Sequence, residues 1–340
     1  MTKATVTPDM ITKAGEILKA GGLVAFPTET VYGLGANALD TRAASKIYAA
    51  KGRPSDNPLI IHIAKMESLP LITRQVPDKA LKLAKLYWPG PLTMIFPKSD
   101  IVPAQITGGL DSVAVRMPEH EIALALIDAG GGYIAAPSAN TSGRPSPTKA
   151  THVAEDLGDS VDMVIDGGDT MVGLESTIVD FTSKEITILR PGAITKAMIE
   201  AVIGKVQEAQ DKLINVSAPK APGMKYTHYA PKAPLVIIVG ESLAVSEQIN
   251  AKVQADIKQG GVPGIICADE HVLQYPQGVV KSLGELEDEE SIARHLYGVL
   301  REFDELGVTN IYSESFDTPR LGTAIMNRLQ KAAGNKIIQV

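Results

Sequence analysis

The chain has 340 residues, more than one typical core fills, so two domains are expected, each long enough to bury its own interior. A 44% hydrophobic, 21% charged composition is that of an ordinary soluble protein. The net charge of −6 argues against a broad nucleic-acid or membrane-binding face but leaves room for a local cationic pocket. A single cysteine, Cys267 in "GIICA", excludes an internal disulfide and a Cys-cluster metal site, and its apolar setting reads as an inert core thiol. There is neither a basic-then-apolar leader nor an apolar run of membrane-spanning length, so a cytoplasmic protein with no membrane partner is expected.

In chain order, the first half opens with an amphipathic pattern over Pro8–Ala20, a helix closed by Gly21-Gly22. "LVAFPTETVYGLG" reads as a strand, a loop and a second segment. Thr41–Lys51 reads as a helix, "PLIIHIA" as a buried strand, and Asp78–Leu86 as a helix broken at "WPGP". "LTMIFP" and "SVAVRMP" have β-branched strand patterns. A helix near Glu121–Ala129 leads into "YIAAPSANTSGRPSP", a strand and then a polar loop, and "MVIDGG", "STIVDF" and "ITILRPG" add strands. Short strands mixed with helices, some in hairpin order, imply a mixed sheet covered by helices.

The second half alternates more cleanly. "PLVIIVG", "VPGIICA", "VVKSL", "TNIYSES" and "KIIQV" are strands, and helices are expected at Glu241–Gln259, Glu287–Leu306 and near Leu321–Ala333. This implies a small parallel α/β domain. Between the halves lies "APGMKYTHYAPKAP", Ala221–Pro234, which lacks apolar periodicity and sets a Lys, a His and two Tyr between stiffening prolines. A passive linker would be Gly/Ser-rich or plainly polar, so this run reads as an extended segment that docks on something.

Five motifs in the first half carry chemistry. In "PTETVYGLGANA" the spacing Gly33-x-Gly35-x-x-Ala38 imitates a dinucleotide fingerprint, but a Thr/Glu/Thr loop separates strand from glycine, and the hydroxyls of Thr28 and Thr30 suit a pocket wall or a backbone-capping turn. "KGRPSDNPLIIHI" sets Lys51 and Arg53 at a helix end, where cations suit the dipole, with Asn57 and His62 nearby. Basic groups plus an amide also suit phosphate or carboxylate oxygens. A lone strand histidine such as His62 is commonly a core residue. "SVAVRMP" ends a strand on Arg116, placed for a salt bridge or for a bidentate grip on a carboxylate. "APSANTSGRPSPT" offers Ser138, Asn140 and Ser146, which suit a solvated loop or donors to phosphate and ribose. "GLESTIVD" and "LRPGAIT" bring Ser176 and Arg190. No P-loop, HExxH or GxSxG elbow occurs, and no carboxylate/His cluster has metal-ligand spacing. Together, Lys51, Arg53, Arg116 and Arg190 with small polar groups fit a polyphosphate plus a small carboxylate.

At these residues the chain resembles the threonylcarbamoyl-AMP synthase family in its long two-domain form. "KGRPSDNPL", "PSANTSGRPS", the interdomain run and the late "GTAIMNRLQKAA" carry the likeness, which extends over nearly the whole chain. The resemblance implies an α/β architecture: a twisted mixed-sheet YrdC-like catalytic domain with a concave cationic cavity (1–205), a linker reaching over the active site (206–234), and a smaller Rossmann-like parallel α/β domain (235–340). It implies that L-threonine, bicarbonate or CO2 and ATP become threonylcarbamoyl-AMP and pyrophosphate. The product would pass to the tRNA threonylcarbamoyl-transferase machinery, with a weak tRNA contact as a further partner. By motif position, Thr30, His62, Arg116, Ala136 and Ser176 would hold L-threonine, with Arg116 at its carboxylate. Lys51, Arg53, Asn57, Ser112, Ser138, Asn140, Ser146, Arg190 and Tyr229 would surround ATP, with Lys51 and Arg53 stabilising phosphate charge. Ser112 stands where many members carry Thr. Mg2+ is expected with ATP, held by phosphate oxygens and water, with no metal site of the protein's own and no organic cofactor.

Three other readings compete. A hydrogenase-maturation carbamoyltransferase would need Cys-rich zinc modules, which one cysteine cannot form. A dihydroxybutanone-phosphate synthase would need acidic metal-binding residues. An RNA-binding module using the concave cationic surface fits poorly with the acidic balance.

Overall fold

The computed structural model describes residues 6–209 and 228–340, so residues 221–227 of the interdomain run lie outside the described residues. Two compact units form. The described residues of the first are 6–142, 146–171 and 175–209, and those of the second are 143–145, 172–174 and 228–340.

In the first unit the elements follow as α1 (Pro8–Lys19), β1 (Val24–Phe26), β2 (Gly33–Asn37), α2 (Thr41–Lys51), β3 (Ile60–His62), α3 (Leu69–Ile72), α4 (Asp78–Tyr87), β4 (Leu92–Pro97), β5 (Ser112–Arg116), α5 (Glu121–Ala129), β6 (Ile134–Ala135), α6 (Ala150–Leu157), β7 (Met163–Val164), β8 (Thr177–Asp180), β9 (Thr187–Arg190), α7 (Lys196–Ile203) and β10 (Gln207–Glu208). Local chemistry sets the helix ends. Thr7 caps α1 through its hydroxyl, with Pro8 in the first turn, and Asp40 caps α2 by accepting from the Arg42 amide. Helix α2 stops at Gly52, whose φ of 59° is left-handed and favours glycine.

The ten strands form one mixed sheet in the order β10-β9-β8-β4-β5-β3-β6-β2-β1-β7. Alternation along the strands sorts the residues. Ile61, Met94, Phe96, Val113, Val115 and Val179 enter the main core with Ile47 of α2, Leu83 of α4 and Ile199 of α7. On the opposite face Ile60, Ile95, Ala114 and Ile178 form a small apolar cluster. Each fully buried aliphatic side chain contributes about 1.5–3 kcal/mol, so the first face carries most of the stability.

Three local features add to the sequence reading. Gly33 and Gly35 are strand residues, and a Cβ on Gly35 would fall 3.0 Å from the Phe26 ring and 2.9 Å from Ile134. The glycines admit an aromatic ring, and no dinucleotide turn is present. Helices α6 and α7, eight residues each, had no reading in the sequence because each is short. Gln207–Glu208, at the start of the expected linker, pair in parallel with Thr187–Ile188 and so extend the sheet.

The second unit adds β11 (Leu235–Val239), α8 (Ser242–Lys258), β12 (Pro263–Cys267), β13 (Val279–Ser282), α9 (Glu289–Leu306), β14 (Asn310–Ser313), α10 (Gly322–Ala332) and β15 (Ile337–Gln339). Its strands pair in parallel in the order β13-β12-β14-β11-β15. Ile237, Ile238, Ile265, Ile266 and Ile311 are wholly buried, as a sheet covered on both faces requires. Cys267 is buried here, and desolvation pushes its thiol up to about 12, so it is an inert core group. The described end of the interdomain run packs on this unit's own α9. The Tyr229 ring lies 5.2 Å from that of Tyr297, and the Lys232 amide donates to Asp304 at 2.7 Å.

Candidate active site

Strand register builds the first part of the site. His62 stands opposite Arg116, Arg116 opposite Thr93, Thr93 opposite Ile178, and Ile178 opposite Arg190. Opposed residues on neighbouring strands share a face, so these side chains form a row some 19 Å long on the face turned away from the main core.

The row is linked by hydrogen bonds. Thr93 and Ser176 share a hydroxyl contact of 2.7 Å. Arg190 donates through Nε to the Ser176 carbonyl at 3.0 Å and through Nη2 to the Ser176 hydroxyl at 3.2 Å. His62 meets the edge of Phe26, ring centroids 6.3 Å apart. Burial first, and then the Arg116 charge, pushes its imidazole down to about 3, so it is neutral near pH 7. Its Nδ1 lies 3.2 Å from the Ile60 carbonyl. The Ala136 amide donates to that same carbonyl at 2.9 Å, which places Ala136 beside β3.

Arg116 points to the loop between β1 and β2. Its Nη2 donates to Glu29 Oε2 at 2.6 Å, with the two side chains 5% and 4% exposed. The loop is tied by Thr28, whose hydroxyl donates to the Val31 carbonyl at 2.7 Å and accepts from the Thr30 and Val31 amides. Since Thr28 has spent its proton on Val31, Thr30 is the donor in their 2.9 Å hydroxyl contact. Thr28 is therefore a turn former.

A second group gathers at the C-terminal end of α2. Lys51, 1% exposed, donates through Nζ to the Ser138 carbonyl at 2.6 Å and to the Asn140 carbonyl. The Ser138 hydroxyl donates to Asn140 Oδ1 at 2.5 Å. Arg53 Nη2 donates to the Pro58 carbonyl at 3.2 Å, and the Asn57 Oδ1 is buried with no hydrogen-bond partner among the described residues. Ser146 donates to Glu175, the neighbour of Ser176, at 2.5 Å.

Ser112 and Tyr229 complete the expected site residues. Ser112 begins β5, four residues or about 13 Å from Arg116, opposite Pro97. Tyr229 belongs to the second unit, with a left-handed φ of 66°. Three buried residues were missed by the sequence reading: Glu29, Thr93 and Glu175. Glu29 carried a signal as the acid inside "PTETVYGLG", whereas pairing and loop closure alone bring Thr93 and Glu175 to the site.

Among the described residues, no group of three or more His, Cys, Asp and Glu side chains could hold a metal ion, and no helix is long and apolar enough to cross a membrane.

Residues 16–192 match the Sua5/YciO/YrdC family model described as "Telomere recombination", and residues 194–334 match the model described as "Threonylcarbamoyl-AMP synthase, C-terminal domain". The chain is 49% identical to a threonylcarbamoyl-AMP synthase of Pyrococcus abyssi over 330 residues, covering 96% of this chain and 95% of that one. It is 49% identical to that of Bacillus subtilis over 330 residues, covering 97% and 94%. A crystal structure of P. abyssi Sua5 complexed with L-threonine superposes with a TM-score of 0.94 at 47% identity, covering 99% of this chain and 98% of that one. The fold and comparisons together define an α/β nucleotidyltransferase of two domains. The chain belongs to the threonylcarbamoyl-AMP synthase family, whose members use ATP to make an adenylate.

Proposed function

We propose that the chain converts L-threonine, bicarbonate or CO2, and ATP into threonylcarbamoyl-AMP and pyrophosphate, and that the product supplies threonylcarbamoyl modification of tRNA. The observation that carries this reading is the burial of four cations in the first unit: Lys51, Arg53, Arg116 and Arg190 are 1%, 9%, 4% and 4% exposed. Ammonium and guanidinium groups donate to phosphate and carboxylate oxygens, and a nucleoside triphosphate beside an amino-acid carboxylate supplies both.

The roles divide between the two substrates. Arg116 grips the threonine carboxylate, and Thr30, neutral His62, the Ala136 backbone and Ser176 surround the rest of the amino acid. Lys51, Arg53, Asn57, Ser112, Ser138, Asn140, Ser146 and Arg190 face the nucleotide. The amine takes up CO2 to give a carbamate. A carbamate oxygen then attacks the α-phosphorus, the bond to the β-phosphate oxygen breaks, and pyrophosphate leaves. Lys51 and Arg53 stabilise the developing charge without forming a covalent bond. Mg2+ would accompany the nucleotide and neutralise charge on its phosphates.

The test is pyrophosphate release from ATP and bicarbonate, with and without L-threonine, with L-serine as control and the adenylate identified by mass spectrometry. Threonine-dependent release with a threonylcarbamoyl adenylate supports the reading. Nucleotide binding without threonine-dependent turnover would overturn it.

A further inference from the structure

Among the described residues Glu29 is the acidic side chain ion-paired to Arg116, and the reaction as written gives it no task. It is 4% exposed. Its Oε2 is held by Arg116 at 2.6 Å, while its Oε1 is buried with no hydrogen-bond partner among the described residues. A buried carboxylate oxygen without a donor is costly, and such an atom beside a ligand-binding guanidinium points to a donor that the ligand brings. Nothing else on the loop supplies it, because the Thr28 and Thr30 hydroxyl protons are committed to Val31 and Thr28.

An α-amino acid carries a carboxylate and an ammonium group on one carbon. The Arg116–Glu29 pair presents a guanidinium and a carboxylate in contact, which is the complementary arrangement. Resting on the proposed threonine reading, we infer that Glu29 receives the ammonium group of the substrate through Oε1 and takes the proton that the amine sheds before it attacks CO2. The electron count closes. The N–H bond breaks, its proton goes to Glu29, and its electron pair remains on nitrogen. That pair forms the N–C bond while a C=O π pair moves to oxygen. The adduct nitrogen then loses its second proton to water, which leaves the carbamate anion. Arrival of the substrate carboxylate at Arg116 supplies the timing. It competes with Glu29 for the guanidinium, which leaves the Glu29 carboxylate available to the ammonium group.

The experiment compares binding of L-threonine and of 3-hydroxybutanoate, the same molecule without its amine, by calorimetry on the full-length chain and on Glu29→Gln. The wild type is expected to prefer threonine by at least about ten-fold, and Glu29→Gln to lose most of that preference while ATP affinity is unchanged. Glu29→Asp keeps the charge but withdraws the carboxylate by one methylene. It is expected to bind ATP normally and to lower kcat at least about ten-fold, which decides the matter if Glu29→Gln does not fold. A Glu29→Gln chain that keeps the wild-type preference, or a Glu29→Asp chain with wild-type kcat, overturns the role of Glu29. Failure of the wild type to bind threonine at all overturns the threonine reading instead, so the two failures are distinct.

Discussion

His62 and Arg116 stand opposite each other on the parallel strands β3 and β5, so a titratable ring and a fixed cation share one buried row. The unfolded histidine takes its proton near 6.5, and the folded one only at about 3. Between these values the unfolded chain binds a proton that the folded chain refuses. Stability should therefore fall as pH drops through that window, by up to about 1.4 kcal/mol per pH unit, and this contribution should level off below it. His62→Asn removes the contribution. Urea-unfolding midpoints between about pH 7.5 and about pH 4 should decline more steeply for the wild type than for the variant, and parallel slopes would show that the folded imidazole accepts its proton.

The Arg116–Glu29 pair sits in the same site with both partners buried. Removing one partner leaves an unpaired buried charge, so Arg116→Met should cost about 3–5 kcal/mol in denaturant unfolding. The double variant Arg116→Met/Glu29→Met should recover a large part of that loss, because no charge is left behind. A double variant as unstable as the sum of the two single ones would mean the pair is not coupled.

Lys51 is aimed by the Ser138 and Asn140 carbonyls at the end of α2. Lys51→Met should lower threonine-dependent pyrophosphate release by about 10²–10³-fold. Lys51→Arg should not restore it, because the planar guanidinium cannot occupy the position of a compact ammonium among those oxygens. Turnover within a few-fold of wild type in Lys51→Arg would reduce Lys51 to a general positive charge.

Gly35 lets β2 pass over Phe26, whose ring in turn borders His62. Gly35→Ala forces a methyl to 3.0 Å from that ring and 2.9 Å from Ile134 and should cost about 1–3 kcal/mol. Gly33→Ala meets the ring at 3.2 Å and should cost less. Thermal unfolding of the two variants gives the order, and an unchanged midpoint for Gly35→Ala would mean the ring yields freely.

Much of this protein is decided locally and so could be read along the chain. Period-2 and period-3.6 apolar patterns, the turn glycines and the Thr7 and Asp40 caps set strands and helices close to where they are found, because each depends on neighbours within a few residues. The alternating strand and helix pattern from Leu235 onward was enough for a parallel sheet. The motifs named Lys51, Arg53, Arg116 and Arg190, since cations among prolines and small polar groups are unusual at any level of folding. What the chain alone could not decide is which of these residues meet. Thr93 lies in an ordinary apolar strand and Glu175 in a loop, and only the pairing of β4 with β5 and β8 brings Thr93 to Arg116 and Ser176. Glu29 and Arg116 are 87 residues apart, and their contact exists only after β1, β2, β3 and β5 have taken their places in one sheet. Composition and local pattern choose the elements, whereas register across the sheet assembles the site, because hydrogen-bonded pairing between distant strands is a property of the folded chain and of no segment within it.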